Sequence, residues 1–257
     1  MAQDWLPFEL ASGELVIRGC EFKAEGVGPA SGWTVIMSHG FGSTAKRCSG
    51  FARGLARGGA RVFAYDFPGS GTGTSSGRES WDMSVLTEAD DLELVLNDVR
   101  ARPGVDPARV ALAGESQGGF VSALVAARRP AHVARLVMLY PALCIPDDAR
   151  AGSSLGAKYD PADPPERFQC LGFVTLGRRY VLDAQALEPW EQICSYAGPV
   201  LIVHGTADAV VSVEYAREAA RRYPQAALVE IAHAQHGFPT PLSMDRAVRE
   251  TLGFLSD

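Results

Sequence analysis

The chain has 257 residues, of which 47% are hydrophobic and 21% charged, and its net charge is −6. That balance excludes a disordered chain, and the length suits one large domain or a domain with an insertion. With 24 Lys and Arg against 30 Asp and Glu, and no basic stripe beyond the pairs Arg128-Arg129 and Arg221-Arg222, a nucleic-acid partner is not expected.

Short apolar runs bounded by turn residues predict strands from the start of the chain onward. They lie at Glu14 to Arg18 and Cys20 to Lys23 around Gly19, then at Thr34 to Ser38, Arg61 to Tyr65 and Arg109 to Ala113. Leu136 to Leu139, Pro199 to Val203 and Ala227 to Ile231 follow. Such runs suit strands buried on both faces. Helices are predicted between them at Lys46 to Arg57, Met83 to Arg100, Gln117 to Arg128, Ser212 to Arg222 and Leu242 to Phe254. In the second, Val85, Leu86, Ala89, Leu92, Leu96 and Val99 form an apolar stripe, and Asp90, Asp91, Glu93 and Asp98 are expected to face mostly away. Alternating strands and helices imply an α/β fold with a mostly parallel sheet and helices on both faces.

Between Cys144 and Tyr196 the rhythm stops and no clear strand is visible. The stretch is rich in proline yet carries Tyr159, Phe168, Phe173, Tyr180 and Trp190, so it is expected to pack. It reads as a cap inserted at 144–196 in a core made of 1–143 and 197–257. No apolar run approaches the ~18 residues that span a bilayer, and Met1 to Asp4 opens no secretory signal. Five cysteines at irregular spacing read as free thiols, so a cytoplasmic setting is expected.

The chemistry concentrates in Gly114-Glu115-Ser116-Gln117-Gly118-Gly119. This Gly-x-Ser-x-Gly pattern lies between a predicted strand and a predicted helix, the setting of a nucleophile elbow. A serine nucleophile needs a base, and the base needs an acid to orient it, in the order Ser, Asp or Glu, His. Asp208 follows the strand ending at Val203, and His236 follows the last strand. Asp66 precedes Ser116, and order disfavours it as the acid. His39 and His204 are read as loop-shaping, His132 as a surface residue, and His233 as a neighbour of the base. Main-chain N–H groups of Gln117 and of Phe41, in His39-Gly40-Phe41-Gly42-Ser43, are the expected oxyanion donors. A metal bound by His233 and His236 has no acid or Cys cluster to support it, so neither metal nor cofactor is expected. Asp66 to Gly73 is glycine-rich but lacks the dinucleotide and P-loop patterns, and reads as a rigid loop beside the site.

These residues resemble the α/β-hydrolase superfamily, and within it the bacterial cinnamoyl (feruloyl) esterases. The likeness is carried by His39-Gly40-Phe41, Asp66 to Gly73, the Gly114 to Gly119 elbow, His204 to Val211, and His236-Gly237-Phe238. Leu176 to Tyr180 and Trp190-Glu191 are similar to the end of that family's cap. The resemblance implies an α/β-hydrolase fold and hydrolysis of hydroxycinnamate or similar small esters. Ser116 would be the nucleophile, Asp208 the orienter, His236 the base, and Phe41 and Gln117 the oxyanion donors. It also implies substrate contacts near Asp147 and Asp148, where some members place an acid for the phenolic hydroxyl. Aromatic cap residues such as Tyr159 and Trp190 are read as able to stack on a planar acyl group. Two departures concern acyl preference: Glu115 stands where many members have His, and Ser70 where His is frequent. A general carboxylesterase, monoacylglycerol lipase or thioesterase on the same triad is the alternative, and a non-catalytic ligand-binding protein the alternative of another class. The expected partner is a small-molecule ester, without nucleic acid or membrane; oligomeric state stays open, with a homodimer among the options.

Overall fold

The computed structural model describes residues 5–70 and 72–256. Met1 to Asp4, where a signal was sought, and Gly71 of the glycine-rich loop lie outside the described residues, as does Asp257. The chain opens with β1 (Leu6–Ser12) and β2 (Leu15–Phe22), then β3 (Thr34–Ser38), α1 (Ser49–Arg57), β4 (Arg61–Tyr65), α2 (Val85–Arg100) and β5 (Val110–Glu115). Next come α3 (Gln117–Arg128), β6 (Arg135–Leu139), α4 (Ile145–Arg150), β7 (Ser153–Ser154), β8 (Ala157–Lys158), β9 (Arg167–Cys170), β10 (Val174–Gly177), α5 (Arg178–Gln185) and α6 (Pro189–Ile193). It closes with β11 (Val200–Gly205), α7 (Val213–Arg222), β12 (Ala226–Ile231) and α8 (Pro241–Ser256). Among the described residues, an eight-stranded sheet runs in the order β1-β2-β4-β3-β5-β6-β11-β12. Pairings from β4 to β12 are parallel, and those of β1 with β2 and β2 with β4 antiparallel. The expected α/β-hydrolase fold is present.

The pleat explains why the central strands read as unbroken apolar runs. Successive side chains point to opposite faces, and here both faces are covered. Ile36, Phe63, Leu112, Met138 and Ile202 pack with α2, α3 and α7. Their neighbours Val35, Val62, Ala111, Val137 and Leu201 pack with α1 and α8 on the other side. Parallel strands need long crossovers, which the helices supply. Ser84 caps α2: it accepts from the Thr87 N–H while its own N–H donates to Thr87 Oγ1 at 2.8 Å.

Three expectations require correction, and one strand, β1, lies outside those predicted. Gly19 does not divide two strands; β2 runs through it, paired on both edges. β1 was not read at all, although Leu6, Phe8 and Leu10 alternate, because Pro7 interrupts the signal. Asp91 does not face solvent: its side chain is fully buried in an ion pair with Arg78. Residues 144–196 do hold strands, in two short hairpins, β7–β8 and β9–β10. Two to four residues are too few to show a period. Residues 144–196 are pinned to the stretch before α2. Ser80 Oγ donates to the Thr175 carbonyl at 2.7 Å, Arg167 lies 4.0 Å from the Trp81 ring centroid, and Ser84 Oγ donates to Asp183. No helix among the described residues is long and apolar enough to cross a membrane.

Candidate active site

β5 delivers Ser116 directly onto α3. The serine sits at φ 50°, ψ −118°, a conformation an L-residue adopts only when its surroundings enforce it. Enforcement comes from the flanking glycines. A Cβ on Gly114 would lie 2.1 Å from the Gly118 carbonyl oxygen, and one on Gly118 would lie 2.4 Å from the His39 carbonyl oxygen. Strand and helix therefore approach more closely than any side chain allows. The Ser116 N–H donates to Leu139 O at 2.9 Å, which ties the turn to β6.

Two further loops meet the serine at the C-terminal edge of the sheet. His236, after β12, presents Nε2 to Ser116 Oγ at 3.1 Å and Nδ1 to Asp208 Oδ2 at 2.7 Å. The side chain of Asp208, after β11, is fully buried. Its Oδ1 accepts from the N–H groups of Val210 at 2.8 Å and Val211 at 2.9 Å. The structure thus brings together three residues that the sequence separates widely. Ala207 N–H donates to Ala234 O at 3.0 Å, locking the two loops to each other. Tyr140 lays its ring against His236 at 4.7 Å, in T-shaped contact, and against Phe238 at 4.8 Å.

His204 does more than shape a loop. Its Nε2 lies 3.3 Å from Asp208 Oδ2 and 3.0 Å from the Val211 carbonyl oxygen. Both neighbours accept, so Nε2 carries the proton, and the buried Nδ1 is left without a partner among the described residues. Burial alone would raise the Asp208 pKa; donors from His204, His236, Val211 and Val210 outweigh it and hold the carboxyl well below the usual range. Asp208 is therefore charged at neutral pH. The place of His204 one residue before Gly205 carried no sign of this second contact.

His39 fixes the turn that carries Phe41. The Phe67 N–H donates to His39 Nε2 at 3.1 Å, so Nδ1 holds the proton and donates to the Gly40 carbonyl at 2.8 Å. Desolvation lowers its pKa and keeps the ring neutral. Asp66 is engaged as a loop clasp, accepting from Ala45 N–H at 2.7 Å and from both the N–H and hydroxyl of Thr74. His132 is half-buried, and exposed His233 adopts φ 58° and donates its N–H to Thr206 Oγ1.

A cavity of about 340 Å³ opens beside Ser116 and is lined by Phe41, Gln117, Cys144, Ile145, Asp148 and Tyr180, among others. That volume lies within the range of small-molecule sites. Leu171 and Val210, both more than half exposed, stand at its rim. Of the four residues expected to touch substrate, Asp148 lines the cavity. The other three are occupied elsewhere. Asp147 accepts from the Tyr215 hydroxyl at 2.8 Å, Tyr159 is hydrogen-bonded to Ser154 Oγ at 2.6 Å and tilts against Phe168, and Trp190 stacks on Tyr215. These aromatics pack against Phe168 and Tyr215 rather than line the cavity. Among the described residues, no group of three or more His, Cys, Asp or Glu is placed to hold a metal ion.

The arrangement can transfer a proton from Ser116 to His236 and support the resulting imidazolium. Comparison with known proteins agrees with the fold. The profile of the serine aminopeptidase S33 family matches residues 29–159, just over half of the chain. Alpha/beta hydrolase domain-containing protein 17C of Xenopus tropicalis is 29% identical over 209 residues, covering 81% of this chain and 56% of that protein. Human monoglyceride lipase is 34% identical over 125 residues, 48% of this chain and 40% of its own. The chain thus spans about half the length of the curated relatives it matches. Est1E from Butyrivibrio proteoclasticus, solved with ferulic acid bound, superposes with a TM-score of 0.87 at 26% identity, covering 95% of this chain and 97% of that one.

Proposed function

Because this chain belongs to the serine aminopeptidase S33 family of α/β hydrolases, we propose that it is a serine esterase that works through an acyl-enzyme. The observation that carries the reading is the continuous line Ser116 Oγ, His236 Nε2, His236 Nδ1, Asp208 Oδ2, at 3.1 and 2.7 Å. His236 takes the hydroxyl proton as Ser116 attacks the ester carbonyl. The N–H groups of Phe41 and Gln117 receive the oxyanion; Gln117 is the first residue of α3, where an N–H has no partner within the helix. His236 returns its proton to the departing alcohol. It then activates water, which releases the acid and restores Ser116.

For the acyl group we propose a hydroxycinnamate or an acid of similar size, with residues 144–196 acting as the cap that selects it. The likeness to Est1E supports this, as does an apolar cavity of about 340 Å³ with Asp148 on its wall. A second reading, a lipase for short acylglycerols, is favoured by the exposed apolar rim of Leu171 and Val210. Comparing methyl ferulate, monoacylglycerols and short p-nitrophenyl esters as substrates separates the two, and a large preference for the latter two groups would reject the aromatic acid. Ser116→Ala tests the mechanism. It should lower kcat by about 10⁴–10⁶-fold with the fold intact; turnover near that of the parent would refute the assignment.

A further inference from the structure

The proposed oxyanion donors are two residues far apart in sequence, and a third residue touches both. Tyr180, in the first turn of α5, is buried, lines the cavity beside Ser116, and belongs to the inserted segment. Its hydroxyl donates to Gln117 Oε1 at 2.7 Å. Gln117 in turn donates from Nε2 to Glu88 Oε2 on α2, also at 2.7 Å. Three buried side chains thus form one chain from the insert, through the residue after the nucleophile, into the core. The same Tyr180 ring stands in T-shaped contact with Phe41, 6.1 Å between centroids.

Resting on the serine-esterase reading, we propose that Tyr180 is a positioning residue that fixes both oxyanion donors, Gln117 through its hydroxyl and Phe41 through its ring. Gln117 is held at both ends of its side-chain amide, so it cannot turn without leaving a buried polar atom unpaired. An oxyanion donor acts only when its N–H sits within hydrogen-bond reach of where the oxygen arrives, and a backbone anchored by its own side chain keeps that aim. The tyrosine is itself steadied, because Asp183 of α5 accepts from Ser84 at the cap of α2. The inserted segment then forms part of the catalytic geometry and is more than a lid over it.

The test uses the full chain carrying Tyr180→Phe, Gln117→Met, and both together. Each single change should lower kcat about tenfold with KM within about twofold, since the interaction matters in the transition state and not in substrate binding. Affinity for a trifluoromethyl ketone, which forms a tetrahedral adduct on the serine, should weaken by the same factor. The double variant should be no worse than the worse single variant, because both changes break one chain. A residue that merely packs the insert would lower Tm and leave the kinetics of the folded protein unchanged. Unchanged kcat, a loss confined to KM, or additive losses would overturn the proposal. Should Tyr180→Phe fail to fold, Gln117→Met cuts the same chain from the other side and keeps its N–H. A parent protein that a fluorophosphonate does not label at Ser116 overturns the esterase reading itself; labelling with unaltered variant kinetics overturns this proposal alone.

Discussion

Asp208→Asn changes one atom, and the structure dictates what that atom does. Oδ1 of Asp208 receives two main-chain N–H groups, from Val210 and Val211 at 2.8 and 2.9 Å. Two donors aimed at one atom require an oxygen there, so the asparagine carbonyl must take that place and its NH₂ the place of Oδ2. The NH₂ then faces Nδ1 of His236 and Nε2 of His204. Toward His236 it donates, which moves the ring proton to Nε2, the nitrogen that must accept from Ser116. The wrong tautomer lowers kcat by about 10⁴-fold, or roughly 5 kcal/mol of barrier. Toward His204 a donor meets a donor inside the protein, at a cost of about 1–3 kcal/mol of stability. Asp208→Ala removes the orienting acid without imposing a tautomer. The near-isosteric asparagine should therefore be no more active than alanine. Turnover of p-nitrophenyl acetate, with thermal melts to verify folding, measures both effects. An Asp208→Asn protein retaining more than about a tenth of the parent kcat, or surpassing Asp208→Ala by about a hundredfold, would refute the reasoning.

Three other outcomes are expected. Arg78→Ala strands fully buried Asp91, whose Oδ1 accepts from Arg78 Nη2 at 3.0 Å; urea melts should show a loss of about 3–5 kcal/mol, and a loss below about 1 kcal/mol would contradict the pairing. Burial pushes Glu88 up to about 8, with a smaller lowering by the Gln117 hydrogen bond. Folded protein thus holds a proton that the unfolded chain releases near pH ~4.3, and this group costs stability progressively as pH rises from there to about 8. The Tm advantage of Glu88→Gln over the parent should grow between about pH 5 and 9; a difference flat with pH would reject the buried-acid account. Gly114→Ala drives a Cβ to 2.1 Å from the Gly118 carbonyl oxygen and should destabilise the protein by about 3 kcal/mol or more, with little soluble, active protein recovered; a normal melt and normal turnover would show that the strand and helix can separate.

How much was legible depended on where a residue's role is decided. The central strands announced themselves because burial on both faces turns a pleated strand into a plain apolar run, as in Thr34 to Ser38. The elbow announced itself because Gly114 and Gly118 answer to a local steric demand. Asp208 and His236 were reached from their places after the last two parallel strands. What stayed hidden was decided by contacts between distant segments. Asp91 lies among the apolar spacing of α2, yet its charge argued for solvent, and the distant Arg78 makes its burial tolerable; Glu88, which carried no expectation, is buried against Gln117. Trp190 and Tyr159 offered flat rings suited to a flat substrate, and nothing in their neighbours revealed that Tyr215 and Phe168 already occupy those rings.

Ser116, Asp208 and His236 are all supplied by stretches outside residues 144–196. On the proposed reading, in which residues 144–196 select the ester, reaction and much of recognition are written in separable passages of the gene. A lineage could redraft the inserted passage to suit new esters while the proton path goes untouched, provided that each revision preserves the single phenol at its seam with the elbow.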